Sequence, residues 1–308
     1  MKKILMIGPG RDVRGGISTV VNSYYELGIE KDTEIKYIPT MEDGSQIKKL
    51  IVAVKAYMEF GGCVKKYDIV HVHMAAQASF VRKSLFVQKA KKAGVKVIIH
   101  SHAADFDKYF FEESDDKNRK KIKETFALAD KVIVLSEEWA DFFGKNVCDP
   151  AKIKIIYNGV ILPQKNKTSY DDHNILMLGR LGERKGTYDL LKAIPMVLRE
   201  VPDAMFYLGG DGDIEGCKAI AANEGIQDHI KFLGWIKGTE KKNLLDKCSV
   251  FTLPSYYEGM PMSVLEAMSY GLATVSTNAG GIPQIIDDGV DGCLLYTSPS
   301  PRDPKTSR

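Results

Sequence analysis

The stretch Asn174-Ile-Leu-Met-Leu178-Gly179-Arg180-Leu181-Gly182-Glu183-Arg184-Lys185-Gly186 decides how the rest of the chain is read. A short apolar run, Asn174–Leu178, ends in a basic, glycine-containing turn. Tyr188–Arg199 then repeats its apolar residues at helical spacing. Strand, turn and helix in that order make the building unit of a parallel sheet. Arg180 and Lys185 lie in one turn beside a helix start, where backbone N–H groups point outward. Two fixed cations and a helix N-terminus together suit a diphosphate. A solvated basic loop is the competing reading of the same residues.

Downstream, strands are predicted at Ala204–Leu208, Ile230–Leu233, Val250–Leu253 and Ala273–Ser276, with helical patterns between them. Upstream, the same alternation runs through Ile4–Ile7, Glu34–Pro39, Asp68–His73, Val95–His100, Lys131–Leu135 and Lys152–Tyr157. The helical patterns there include Ile17–Leu27, closed by Gly28, and Ile47, Leu50, Ile51, Val54 and Met58. The fold class is therefore α/β, with two doubly wound, Rossmann-like domains. Their bounds are read as 1–162 and 163–292, with a polar linker near 160–172. A length of 308 residues agrees, at about 150 residues per domain. Such sheets bind ligands at the carboxyl ends of their strands, so two facing domains are expected to share one cleft.

With 44% apolar and 27% charged residues, the chain is neither disordered nor a disulfide scaffold. The five cysteines form no C-x-x-C pair and read as reduced structural thiols. Met1-Lys2-Lys3 precedes too short an apolar run for a signal peptide, and no segment is long enough to span a membrane. The expected location is the cytoplasm. The net charge of +3 does not suggest nucleic acid, but its distribution is uneven. Residues 1–150 hold 25 Lys+Arg against 21 Asp+Glu, and residues 151–292 hold 15 against 18. A basic first half suits an anionic membrane face or a phosphorylated acceptor. Its lysine-rich stretches, 89–96 and 117–123, are the places where peripheral membrane contact would fall.

Glu258-Gly259-Met260-Pro261-Met262-Ser263-Val264-Leu265-Glu266 places one carboxylate in a loop after a strand and a second about one helical turn beyond Pro261. Glu258 and the backbone of Gly259, Met260 and Pro261 can grip sugar hydroxyls, and Glu266 can reach a ribose. Gly8-Pro-Gly-Arg-Asp-Val-Arg-Gly15-Gly16 links the first strand to the first helix, where glycines allow backbone to approach a phosphate. It is not a clean G-x-G-x-x-G, and no acid follows where a dinucleotide ribose would need one. His71 and His73 share one strand face, as do His100 and His102. No Cys or Glu completes a zinc set at familiar spacing, so no metal site is assigned. His102, deepest in its loop, is read as a hydrogen-bonding residue against substrate, and His71 as structural. Asp211-Gly212-Asp213 reads as a tight turn into a helix rather than a metal–diphosphate site.

Residues 293–308, Cys293-Leu-Leu-Tyr-Thr-Ser-Pro-Ser-Pro-Arg-Asp303 and the five after it, resemble the translation of a transposon-type sequencing adapter. They are set outside the fold, and the natural product is expected to be longer.

As a set, these motifs resemble the retaining GT-B glycosyltransferases of family 4. The match rests on Gly15-Gly16, His100-Ser-His102, Gly179-Arg180 to Lys185-Gly186, Gly209-Gly-Asp-Gly212 leading to Phe232-Leu-Gly234-Trp, Asn158-Gly-Val160 and the Glu258…Glu266 pair. His71-Val-His73 and Ser79-Phe80…Arg82-Lys83 resemble members that build capsule or exopolysaccharide. The resemblance implies a hexosyltransferase moving a sugar, with retention, from a nucleotide-diphospho-sugar to a glycan or polyprenyl-diphosphate-linked acceptor. UDP is the base that family frequency favours. Arg180 and Lys185 would neutralise the donor diphosphate with no metal required. Glu266 would hold the ribose, and Glu258 with Gly259, Met260 and Pro261 the sugar. His102 would contact that sugar, and Gly15 and Gly16 would lie near the diphosphate. Gln284 stands where relatives carry Glu, and Ala103-Ala104 where they often carry Gly. The family's usual last helix is absent, so a longer parent is expected to be more stable. Two alternatives stay open, an epimerase or hydrolase of the same fold and an inactive nucleotide-sugar-binding protein.

Overall fold

The computed structural model describes residues 1–164 and 169–296. The chain divides into two compact units. The first is Met1–Ile161 together with Glu258–Met262; the second is Leu162–Tyr257 with the residues from Ser263 onward. The polar linker read at 160–172 includes 165–168, which lie outside the described residues, as do 297–308.

In unit 1 the elements run β1 (Lys2–Gly8), α1 (Gly16–Glu26), β2 (Thr33–Pro39), α2 (Gln46–Cys63), β3 (Ile69–Met74), α3 (Gln77–Lys92), β4 (Lys96–Ser101), α4 (Phe106–Phe111), α5 (Asp116–Ala127), β5 (Lys131–Val134), α6 (Glu137–Asn146) and β6 (Ile153–Ile155). The strands form one parallel sheet in the order β2-β1-β3-β4-β5-β6. Its strands read as near-continuous apolar runs because helices cover both faces. Leu5, Ile7, Val70, Val72, Val97, Ile99, Val132 and Val134 are sealed in this core.

In unit 2 the elements are β7 (Asn174–Leu178), α7 (Thr187–Glu200), β8 (Met205–Gly209), α8 (Ile214–Asn223), β9 (Ile230–Gly234), α9 (Gly238–Lys247), β10 (Val250–Leu253), α10 (Met262–Ser269), β11 (Ala273–Thr277) and β12 (Cys293–Leu295). The order is β12-β11-β10-β7-β8-β9, again parallel. Each sheet reverses its winding once, between β1 and β3 in unit 1 and between β7 and β10 in unit 2. Ligands of doubly wound sheets bind at such reversals.

Two features differ from the sequence reading. Cys293–Leu295, set outside the fold, pairs with β11, and Leu294 is 7% exposed. An edge strand needs only main-chain hydrogen bonds and one apolar side chain facing inward, and this tripeptide supplies both. The second difference is in α2. Apolar residues at helical spacing ordinarily mark the buried stripe of a helix. Here Ile47, Leu50, Ile51, Val54 and Met58 are 48–73% exposed, and the sheet side of α2 buries only Ala56 and Phe60.

Candidate functional site

The reversal in unit 2 is built from backbone. Gly186 begins α7 with φ +65, and a methyl group there would overlap the Pro254 carbonyl in the loop after β10. The Tyr256 N–H donates to the Arg184 carbonyl (3.0 Å), and Arg184 donates to the Tyr257 carbonyl (3.2 Å). The loops that follow β7 and β10 are thereby fastened to each other. On the other side, Gly210 lies so close to the Gly179 carbonyl that only glycine fits. The Leu181 N–H donates to the Asp211 carbonyl (2.6 Å), and the Asp213 N–H to that of Leu181 (3.0 Å).

Arg180 and Lys185 sit on this braced turn. Arg180 is exposed, and Lys185 is half-buried with its aliphatic stem beside Gly179. Asp213 is the N-cap of α8, accepting from the Gly216 N–H and from the Tyr188 hydroxyl (2.6 Å). Those bonds, with the Tyr188 hydroxyl first, hold its carboxyl below the usual range. Asp213 thus opens the helix, and Gly212 forms an isolated β-bridge with Leu181.

Glu266 lies one turn into α10 and forms an ion pair with Lys241 of α9 at 2.6 Å. The pair is mostly buried, with side chains 17% and 25% exposed. One carboxylate oxygen engages the lysine, which orients the other. Lys241 is a partner of Glu266 that the sequence did not single out. It stands in a Lys-Lys pair that reads as solvated, and its partner is 25 residues away.

Glu258, Gly259, Met260 and Pro261 group with unit 1. Asn158 donates through its side-chain amide to the Met260 carbonyl (2.9 Å), and its N–H points at the Met260 sulfur (3.3 Å). A methyl added at Gly259 would sit 3.6 Å from the carbonyl oxygens of His102 and Ala103. The structure thus brings together the buried Glu258 and the His102 loop, which the sequence had chosen separately.

The reversal in unit 1 is filled by imidazoles. Sheet register sets His73 beside His100. His71 stacks on His73 with centroids 4.4 Å apart, and His100 and His102 lie 4.0 Å apart. His73 Nδ1 and His102 Nε2 share a hydrogen bond of 2.9 Å. His71 Nε2, His73 Nε2 and both nitrogens of His100 are sealed, with no hydrogen-bond partner among the described residues. Burial lowers all four pKa values, to about 4 for His71 and about 3 for His102, so the rings are neutral at physiological pH. Lys83 is 1% exposed, bonded to Ser79 (3.0 Å), and its ammonium is pushed down to about 7 by burial and then by Arg82.

Ligand atoms of His71, His73 and His100 lie within 4.8 Å of one another. Neutral imidazoles suit zinc, but these rings are stacked rather than turned toward a common point. The Lys83 charge also acts on His73 and His102. The arrangement fits a packed polar cluster better than a cation site.

Gly15, at φ +142, is the N-cap of α1, and the Cβ positions of Gly15 and Gly16 face open space. The turn before them is held by Tyr37 donating to the Pro9 carbonyl and by the Ser18 hydroxyl donating to that of Gly10 (2.9 Å).

Residues 27–162 match the family described as Glycosyltransferase Family 4, and residues 172–304 the one described as Glycosyl transferases group 1. The chain thus carries a glycosyltransferase family 4 domain followed by a glycosyl transferases group 1 domain. Among similar curated relatives of this chain is the Escherichia coli UDP-Gal:alpha-D-GlcNAc-diphosphoundecaprenol alpha-1,3-galactosyltransferase, 29% identical over 75% of this chain and 63% of that one. Another is the amylovoran biosynthesis glycosyltransferase AmsK of Erwinia amylovora, 28% identical over 74% and 57%. A third belongs to the phosphatidylinositol N-acetylglucosaminyltransferase of Arabidopsis thaliana, 28% identical over 78% and 53%. The chain spans 53–63% of the length of these relatives. Its fold is that of Anabaena HepE, solved with UDP and glucose (TM-score 0.72, 18% identity, 96% of this chain and 86% of that one). The two sheets have the fold of the two Rossmann-like halves of GT-B structures.

Proposed function

We propose that the chain transfers a hexose, with retention, from a UDP-sugar to a lipid-diphosphate-linked glycan in the synthesis of a cell-surface polysaccharide. The observation that carries the reading is the braced turn of unit 2, which presents Arg180 and Lys185 at the sheet's reversal. Rigid cations aimed at a diphosphate stabilise the charge that develops as the sugar leaves. The bond from sugar C1 to the diphosphate oxygen breaks, and a bond from C1 to the acceptor oxygen forms on the same face. The acceptor's proton passes to the departing diphosphate. Arg180 and Lys185 supply the positive charge this needs, so no metal is required. Glu266, oriented by Lys241, accepts from the ribose hydroxyls. Glu258 and the backbone of Gly259, Met260 and Pro261 hold the sugar. Gly15 and Gly16 leave open space for the diphosphate.

His102 is a neutral partner in this reading. With a pKa near 3 and one nitrogen bonded to His73, it holds a sugar hydroxyl without donating a proton. UDP is supported by the E. coli relative, named for UDP-Gal, and by HepE, solved with UDP. The same relative supports a diphosphoundecaprenol-linked acceptor.

The test is a thermal-shift and nucleotide-release screen with UDP-, GDP- and ADP-sugars, wild type beside Glu266→Ala. A UDP-sugar should raise the melting temperature and be turned over with acceptor, and the variant should lose both responses. A folded wild type that answers to no donor would overturn the proposal. Donor binding without transfer to any lipid-linked acceptor would leave a binding protein in its place.

A further inference from the structure

The outward stripe of α2 has a neighbour of the same kind. α3 lies against α2, with Phe86 edge-on to Tyr57 (5.4 Å) and Phe60 (5.1 Å). Its own exposed side carries Val81 and Leu85, 49% and 47% exposed. α5 lies on the far side of α3, with Phe126 stacked on Phe80 at 6.5 Å. Two adjacent helices thus show aliphatic side chains outward, and a strongly basic helix flanks them. Scattered surface apolar residues need no explanation, but five at helical spacing on one exposed helix face mark an interaction surface.

The charge identifies the partner. α2, α3 and α5 together hold 13 Lys+Arg against three Asp+Glu, and α3 holds no acid. Residues 1–161 as a whole hold 27 against 21, so the rest of that span is net acidic. Of these cations Lys83 is buried, and Lys48 and Lys91 pair with Glu42 (3.2 Å) and Asp130 (2.9 Å) outside the three helices. The acids on the helices are paired as well. Glu59 pairs with Lys36 at 2.7 Å, and Asp116 pairs with Arg119 at 2.7 Å. Lys48 and Lys55 stand about a quarter-turn from the centre of the α2 stripe, at 100° per residue. An apolar stripe with lysines along its edge is the pattern of a helix lying in a membrane interface. A second copy of this face would set like charge against like. Nucleic acid would have no use for the aliphatic side chains.

We propose that α2 and the adjoining face of α3 dock unit 1 on an anionic bilayer. The aliphatic side chains enter the boundary between headgroups and acyl chains, while the exposed lysines of α2, α3 and α5 meet lipid phosphates. The sequence placed membrane contact on the lysine stretches alone; the apolar face gives it depth and orientation. The inference deepens the lipid-linked acceptor reading and rests on it for its purpose.

The experiment is flotation of the whole chain with vesicles of phosphatidylcholine containing about one third phosphatidylglycerol, beside pure phosphatidylcholine. Wild type should float with the anionic vesicles and release as salt is raised. Ile51→Ser with Val54→Ser should cut the bound fraction about tenfold. Lys117→Gln with Lys120→Gln and Lys121→Gln should remove the preference for anionic lipid. These substitutions are on exposed side chains or, for Lys121, a half-buried one, so melting temperatures should hold. The thermal shift with UDP-sugar should also hold, which tests donor binding separately. Equal flotation of wild type and the Ile51/Val54 variant would overturn the proposal. So would a wild-type dimer that ignores vesicles and becomes a monomer on those two substitutions.

Discussion

At the reversal of unit 2, two loops meet backbone to backbone. Gly186 lies under Pro254 and Gly210 under Gly179, leaving no room for a side chain at either glycine. At the reversal of unit 1, Gly15 and Gly16 face open space, and the ends of β3 and β4 are filled by four imidazoles and a buried lysine. The same sheet topology thus carries two kinds of site. One is a rigid backbone frame that displays cations, and the proposed diphosphate site rests on it. The other is a cluster of side chains held neutral by burial, whose protonation state depends on the unit staying closed.

The largest effect that would break this contrast is steric. Gly186→Ala should cost several kcal/mol, because the backbone at φ +65 is strained for alanine and the added methyl overlaps the Pro254 carbonyl. Gly15→Ala, strained but unobstructed, should cost about 1–3 kcal/mol. Urea unfolding of both variants measures the difference, and equal losses would remove the distinction between the frames.

Acid should separate the units next. His71 and His102 have folded pKa values near 4 and 3, against an unfolded value of about 6.5. Between those limits the unfolded chain binds protons that the folded unit refuses. Stability from the cluster is therefore complete above about pH 6.5 and lost as pH falls toward 4. Trp139 reports on unit 1 and Trp235 on unit 2, so single-tryptophan variants can be melted across this range. The Trp139 transition should fall more steeply; parallel curves would place the acid sensitivity elsewhere.

The smallest effect tests the proposed donor site. Lys241→Ala frees a carboxylate that is mostly buried, and should cost up to about 1 kcal/mol in stability. Its informative readout is the Kd for UDP, which should weaken because Glu266 loses its orientation. An unchanged Kd would make the pair purely structural.

What was legible in the sequence follows from the range of the forces involved. The strands of both sheets and the Gly179–Gly186 turn are set by neighbouring residues, and apolar runs with glycines reveal them locally. The Lys241–Glu266 pair depends on α9 and α10 lying side by side, and no local pattern encodes that. The His73–His102 bond depends on the register between β3 and β4. The period of α2 identifies its apolar face, but only the packed unit shows which way that face turns. Glu258–Met262 reads as part of the second half because it follows β10, yet its hydrogen bonds go to Asn158.

Lys83 carries a consequence for chemical reactivity. An amine with a pKa near 7 is largely unprotonated at slightly alkaline pH, and such an amine in water is a fast nucleophile toward acylating reagents. At 1% exposure it meets none. Its acylation must wait for the unit to open, so the rate of labelling at this single lysine becomes a clock for opening events that leave the average structure unchanged.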